Sequence, residues 1–176
     1  MNDILMLSMM LGGPKYGYQI KREAAWITGQ KALHNNLVYP MLRRFLDEGR
    51  VSKKAVPGNR GQTRQQYSLT AEGRRYLFDR IHEFGPDDAR SEEAFHLRVG
   101  LFGALKSDVR EAILTRRENY LRERDQKLAE LQAHMELGKF GGEIVRHMRK
   151  QVEMDCVWIE HLRRMSTTGS RKKESL

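Results

Sequence analysis

The spacing of apolar and polar positions divides the chain into short helices, a pair of strands and a long helical remainder. In residues 35–49, Val38, Leu42 and Phe45 recur at i, i+4 and i+7, which places them on one inward helix face. Asn35 or Asn36 can cap the start of that helix, and Gly49 can end it in the left-handed conformation. Pro40 lacks an amide donor and fits only near the beginning. The opposite face carries Asn36, Tyr39, Arg43 and Arg44. Upstream, residues 4–11 are apolar almost all round, which predicts a helix buried on every side. Gly12-Gly13-Pro14 stops it, Tyr16 to Thr28 forms a second helix, and Gly29, Gln30 and Lys31 turn into the third. Downstream, residues 50–56 read as an edge strand, 57–64 as a turn bearing Arg60 and Arg64, and 65–69 as the returning strand. Thr70 then caps a helix, Ala71 to Phe84, with Glu72 on the favourable side of its dipole.

The second half is helical throughout. Gly85-Pro86-Asp87-Asp88 breaks the pattern and sets a domain boundary. Ser91 caps a fifth helix running through Phe95, Phe102 and Leu105. Asp108 and Glu111 have capping-box spacing and open a long helix that continues to about Leu137. Gly138 and Gly141-Gly142 read as a hinge into a last helix, Glu143 to Met165, with two apolar faces. Ile144, Met148, Val152, Cys156 and Ile159 form one face; Met154, Trp158, Leu162 and Met165 form the other. One face can meet the preceding helix in an antiparallel hairpin, and the second would stay wet in a monomer. A homodimer follows, with Leu7, Leu11, Ile144, Met148, Val152, Trp158, Ile159 and Leu162 as its candidate interface. Trp26, Phe95, Phe102 and Trp158 read either as core or as an apolar pocket for a small-molecule effector. Residues 166–176 form a polar, basic tail expected to be disordered.

Charge sharpens this picture. The net charge is +9 over 176 residues, and residues 1–84 hold 14 Lys and Arg against 7 Asp and Glu, the remainder 18 against 16. The cationic excess therefore lies with the first half, as binding a polyanion requires. A guanidinium, an amide and a phenol on one helix face can meet phosphates and base edges. One cysteine, Cys156, leaves no internal disulfide and fits a reducing cytoplasm. No apolar run reaches about 18 residues, so no membrane span is expected, and the N-terminus lacks the pattern of a signal peptide. Six histidines are scattered; Glu143 and His147 share a helix face, but a metal needs three or four converging ligands. Neither glycine-rich stretch has nucleotide-loop spacing, and no catalytic constellation is present. No cofactor, metal or enzymatic activity is expected.

Three helices followed by a two-stranded wing is the order of a winged helix-turn-helix. The fold class is mainly α with a small two-stranded wing: a DNA-binding domain over 1–85, a helical dimerisation domain over 86–165, and the tail. Three blocks carry a family resemblance: Tyr16-Gly17-Tyr18-x-Ile20 after Gly12-Gly13-Pro14; Val38-Tyr39-Pro40-x-Leu42-x-Arg44-Phe45-x-x-x-Gly49; and Tyr67-x-Leu69-Thr70-x-x-Gly73. In these the chain resembles the PadR family of transcriptional regulators, over roughly its first half. Two positions depart: Leu37 stands where the family often has a small hydroxyl residue, and Gly61-Gln62-Thr63-Arg64-Gln65 replaces a wing that usually reads Gly-Arg-Pro-Arg-Lys. The resemblance implies a homodimer on double-stranded DNA, most often a repressor, with release by a small-molecule effector in several members. Residue and resemblance together nominate Lys15, Tyr16, Lys31, Asn35, Asn36, Tyr39, Arg43, Arg60, Gln62, Thr63 and Arg64 as DNA contacts. A winged-helix adaptor that binds protein instead of DNA is the alternative reading.

Overall fold

In the computed structural model, which describes residues 1–27, 35–57 and 62–168, the chain divides into two units, Met1–Glu83 and Phe84–Leu176. The first contains α1 (Asn2–Ser8), β1 (Lys15–Tyr16), α2 (Gly17–Ile27), α3 (Asn35–Asp47), β2 (Val51–Pro57), β3 (Thr63–Leu69) and α4 (Ala71–His82). Val38, Leu42 and Phe45 are buried as their spacing requires, and Met41 joins them. Gly49 has φ +68°, the left-handed geometry that ends α3 and turns the chain into β2. Pro40 is the sixth residue of α3, so it removes one intrahelical bond, that to the Asn36 carbonyl.

The apolar opening segment folds as expected of its composition. Ile4, Leu5, Met6, Leu7, Met9 and Met10 are all buried, and α1 packs chiefly on α4. Asp3 fixes this arrangement: its carboxylate accepts from the Tyr76 hydroxyl at 2.9 Å and from Arg44 Nη2 at 2.6 Å, linking α1 to α4 and α3. Thr70 caps α4, its hydroxyl accepting from the Gly73 amide at 2.9 Å and donating to the Gly49 carbonyl at 2.7 Å. Gly73 is pressed against the chain entering β2; a Cβ there would lie 1.9 Å from the Arg50 carbonyl oxygen.

The sheet differs from the expected two-stranded wing. It has three antiparallel strands in the order β1-β3-β2. β1 adds to the far edge of β3 with Lys15 opposite Tyr67 and Tyr16 opposite Gln66. Two residues cannot display an alternation, so nothing local marks them as strand. Thr63 and Arg64 also belong to β3, paired with Pro57 and Val56, rather than to the turn.

The second unit contains α5 (Pro86–Arg90), α6 (Glu92–Val99), a 3-10 turn (Phe102–Ala104), α7 (Ser107–His134) and α8 (Lys139–Thr168). Ser91 caps α6 as expected, accepting from the Ala94 amide at 3.2 Å. The continuous helix expected through Leu105 ends instead at Gly100, where glycine's low helix propensity allows the break. The expected capping box is not formed: Lys106 occupies the N-cap position without a side-chain bond. Asp108 therefore falls inside the first turn, and Glu111 instead accepts from Thr115 and Arg163. The glycine pair is no hinge either, because α8 already begins at Lys139.

α7 and α8 lie antiparallel, pinned by Arg149–Asp125 (2.8 Å), Arg117–Asp155 (3.1 Å) and Arg163–Glu118 (2.6 Å). Val145, Val152, Ile159 and Leu162 are buried along α8. Among the described residues of this unit, Arg98 and Arg117 are buried. Arg98 is paired with Asp88 at 3.2 Å. Arg117 donates to the Ala89 carbonyl at 2.8 Å and lies against the rings of Phe95 and Tyr120.

Candidate nucleic-acid interface

The exposed face of α3 is a consequence of its buried one. With Val38, Leu42 and Phe45 turned inward, Leu37, Tyr39, Pro40, Arg43 and Arg44 are left at the surface. The two arginines differ in state. Arg44 is held by Asp3, with Glu48 at 4.0 Å, and the Asp3 hydrogen bond raises its pKa further above the ordinary guanidinium value. Arg43 has no carboxylate partner among the described residues and is exposed, so it is the uncommitted cation of the helix.

Tyr39 is half exposed and seated by its neighbours. Its ring edge lies on Gly17, where a Cβ would come 3.0 Å from Tyr39 Cε1. A groove of about 630 Å³ lies to one side, lined by Tyr16, Tyr18, Tyr39, Arg64, Gln65 and Tyr67. A second, of about 600 Å³, lies to the other and contains Arg43, Asp47 and Lys53. Tyr39 and Tyr67 line both grooves, so their rings form the ridge between them. Tyr67 is buried, and that burial, with Tyr39 nearby, pushes its phenol pKa up. It stays a neutral donor and acceptor. Arg64 is exposed on β3 with no carboxylate partner among the described residues. Two guanidiniums, Arg43 and Arg64, thus flank a ridge of phenols, which is the chemistry of a phosphate-lined surface.

The remaining expected contacts fall out unevenly. Gln62 and Thr63 are exposed beside Arg64. Lys15 departs from expectation: its ammonium is bound by both Glu23 oxygens, at 2.5 and 2.7 Å, so its charge is already compensated. Tyr16 is half-buried and stacked on Tyr18 at 5.8 Å between centroids. Lys31 and Arg60 lie outside the described residues, as do the side chains of Asn35, Asn36 and Trp26. Sequence reading overlooked three residues of the surface: the half-exposed Tyr18, Lys53 and Gln65. The register signal for Lys53 was available, since it stands opposite Tyr67 in the β2–β3 pair.

The expected dimer interface divides. Leu7, Val152, Ile159 and Leu162 are buried within the chain. Leu11, Met148 and Trp158 are half-buried, and Ile144 is exposed. Of the expected effector-pocket residues, Phe95 and Phe102 are buried within the second unit, and Trp158 stands edge-on to Phe95 at 5.7 Å. Among the described residues, no helix is long and apolar enough to cross a membrane, and no group of three His, Cys, Asp or Glu is placed to hold a metal.

Comparison with known proteins gives one family and a set of solved structures. Residues 6–79 match the transcriptional regulator PadR-like family. Bacillus subtilis PadR, solved with operator DNA, is 20% identical, with 93% of this chain and 97% of that one covered and a TM-score of 0.47. A transcriptional regulator from Clostridium thermocellum is 24% identical over 47% of this chain and 80% of its own, at TM-score 0.43. A PadR family regulator from Clostridium difficile is 25% identical over 47% and 84%, at 0.42. No curated protein matches the chain.

Proposed function

Because residues 6–79 match the PadR-like family of transcriptional regulators, a family of regulators rather than enzymes, we propose that this chain binds double-stranded DNA through α3 and the β2–β3 wing. The observation that carries the reading is the pair of uncompensated guanidiniums, Arg43 and Arg64, on either side of the Tyr39–Tyr67 ridge. The operator complex of Bacillus subtilis PadR shows DNA as the ligand of that protein. In this chain α3 enters the major groove and Arg43 faces base edges, where a bidentate contact to guanine is the commonest specific one. Tyr39 and Arg64 take phosphate oxygens. Arg44, held by Asp3, orients the helix rather than reading DNA.

The functional molecule is a homodimer. Support comes from α8, where Phe140, Ile144, Met154, Val157 and Met165 are exposed. Phe140, Ile144, Met154 and Met165 recur along one stripe, too apolar to be left in water without a partner. A two-fold dimer places two α3 helices on half-sites about 34 Å apart, or a multiple of that, and so selects an inverted repeat. Occupying such a site blocks a promoter, which makes repression the expected sign, and an effector would relieve it.

The test is selection of bound duplex fragments, then titration of variants against the selected site and a scrambled one. Arg43→Ala costs about 1–3 kcal/mol on the selected site and little on the scrambled one. Arg64→Ala and Tyr39→Phe weaken both duplexes alike. If no duplex is bound by the intact protein, the wing serves as a protein adaptor and the reading fails.

A further inference from the structure

Asp3 stands in the first turn of α1, and its carboxylate joins α1 to α3, α4 and the chain entering β2. One oxygen accepts from Arg44 Nη2 at 2.6 Å and the other from the Tyr76 hydroxyl at 2.9 Å. The Arg50 guanidinium lies over the Tyr76 ring, 3.4 Å from its centroid, and is paired with Glu48 at 2.7 Å. Glu48 returns to Arg44 at 4.0 Å, which closes the network. Burial, then the Asp3 hydrogen bond, push the Tyr76 phenol above its ordinary range, so it remains a donor.

The place of this network gives it a role beyond packing. Arg44 lines the same groove as Tyr39, Arg43 and Lys53, on the surface proposed to meet DNA. Arg43 has no carboxylate partner among the described residues, whereas Arg44 faces two. The Asp3 side chain is only 23% exposed, so water competes weakly for the hydrogen-bonded pair. To reach a phosphate, Arg44 would have to exchange one anion for another. A cation already neutralised in this way releases no counterions from DNA. Non-specific affinity is almost wholly of that electrostatic kind, so withholding one cation lowers it on every duplex. Base readout by Arg43 is left in place.

We propose that Asp3 is a positioning residue for DNA binding: it withholds Arg44 from the phosphate backbone and leaves Arg43 as the free guanidinium of α3. This inference rests on the DNA reading above and concerns the same surface.

The test is anisotropy titration of the full chain against a selected and a scrambled duplex over a range of salt. Asp3→Asn can still accept from Tyr76 but lacks the charge that holds Arg44. It should bind the scrambled duplex about threefold or more tightly at low salt, with a log–log salt slope steeper by about 0.9, that of one added phosphate. The double variant Asp3→Asn, Arg44→Gln should return both quantities to wild-type. Arg44→Gln alone should leave the slope unchanged, and carries the test if the asparagine variant fails to fold. Tyr76→Phe, which removes only the other bond of Asp3, should lower Tm without moving the slope. A purely structural Asp3 would give weaker binding and a lower Tm for Asp3→Asn at an unchanged slope. That result, or a shallower slope for Arg44→Gln, overturns the proposal while the DNA reading stands. A wild-type chain that binds neither duplex overturns both.

Discussion

Gly73 and Gly17 show how differently two close approaches constrain the chain. At Gly73 the obstacle is a backbone carbonyl, that of Arg50, 1.9 Å from where a Cβ would stand. Neither α4 nor the start of β2 can yield without losing the Thr70 cap. Gly73→Ala is expected to cost about 1–3 kcal/mol, the range of an overpacked core, read as a lowered Tm. At Gly17 the obstacle is the edge of the Tyr39 ring, the end of a side chain that can swing. Gly17→Ala should leave the melting temperature nearly unchanged while weakening DNA binding as much as Tyr39→Phe does. An alanine variant that binds DNA normally would show that the seat of Tyr39 does not matter. These residues also mark what a sequence can reveal. Val38, Leu42 and Phe45 were legible because burial on a helix face has a period. The Lys15–Glu23 pair was not, because a strand and a helix eight residues apart share no period. The difference between Arg43 and Arg44 was equally hidden, since it is made by Asp3, some forty positions away.

Among elements, the α7–α8 pair is held by charge as much as by its apolar seam. Glu118 is nearly buried and accepts from Arg122 and Arg163; the Arg122 hydrogen bond, reinforced by Arg163, keeps its carboxyl below the ordinary glutamate range against the opposing effect of burial. A depressed folded-state pKa stabilises the fold fully above the unfolded value, near 4.5, and the contribution is lost as pH falls through the lower folded value. Glu118→Gln should cost about 1–2 kcal/mol at neutral pH, reduced because Arg122 is exposed to solvent. The wild-type advantage in Tm should shrink as pH falls below about 5. An advantage independent of pH would assign the effect to packing instead. The hairpin itself was legible from its apolar spacing, but the start of α7 was misread. A capping box and a first-turn acid carry the same letters, and only the position of the N-cap separates them.

For the whole molecule, assembly and salt are the discriminating observables. Met154 is 70% exposed in the stripe along α8, so Met154→Glu should leave the fold intact and turn a sedimenting dimer into a monomer. Persistence of the dimer would move the interface elsewhere. DNA affinity should fall with salt at a log–log slope near −0.9 for each phosphate neutralised, and the slope of Arg64→Ala should be shallower by about one. The strand order β1-β3-β2 has a consequence of another kind. β1 covers one side of β3, and among the described strands β2 is left with an open row of amides and carbonyls. Such a row is a template on which a second chain can zip. Lys53 and Lys54 sit in the middle of it and Pro57 at its end, the residues that natural edges use against recruitment. Removing both lysine charges should therefore make heated solutions turbid at a lower protein concentration, before any change in the unfolding midpoint, so that colloidal stability and DNA contact depend on the same strand.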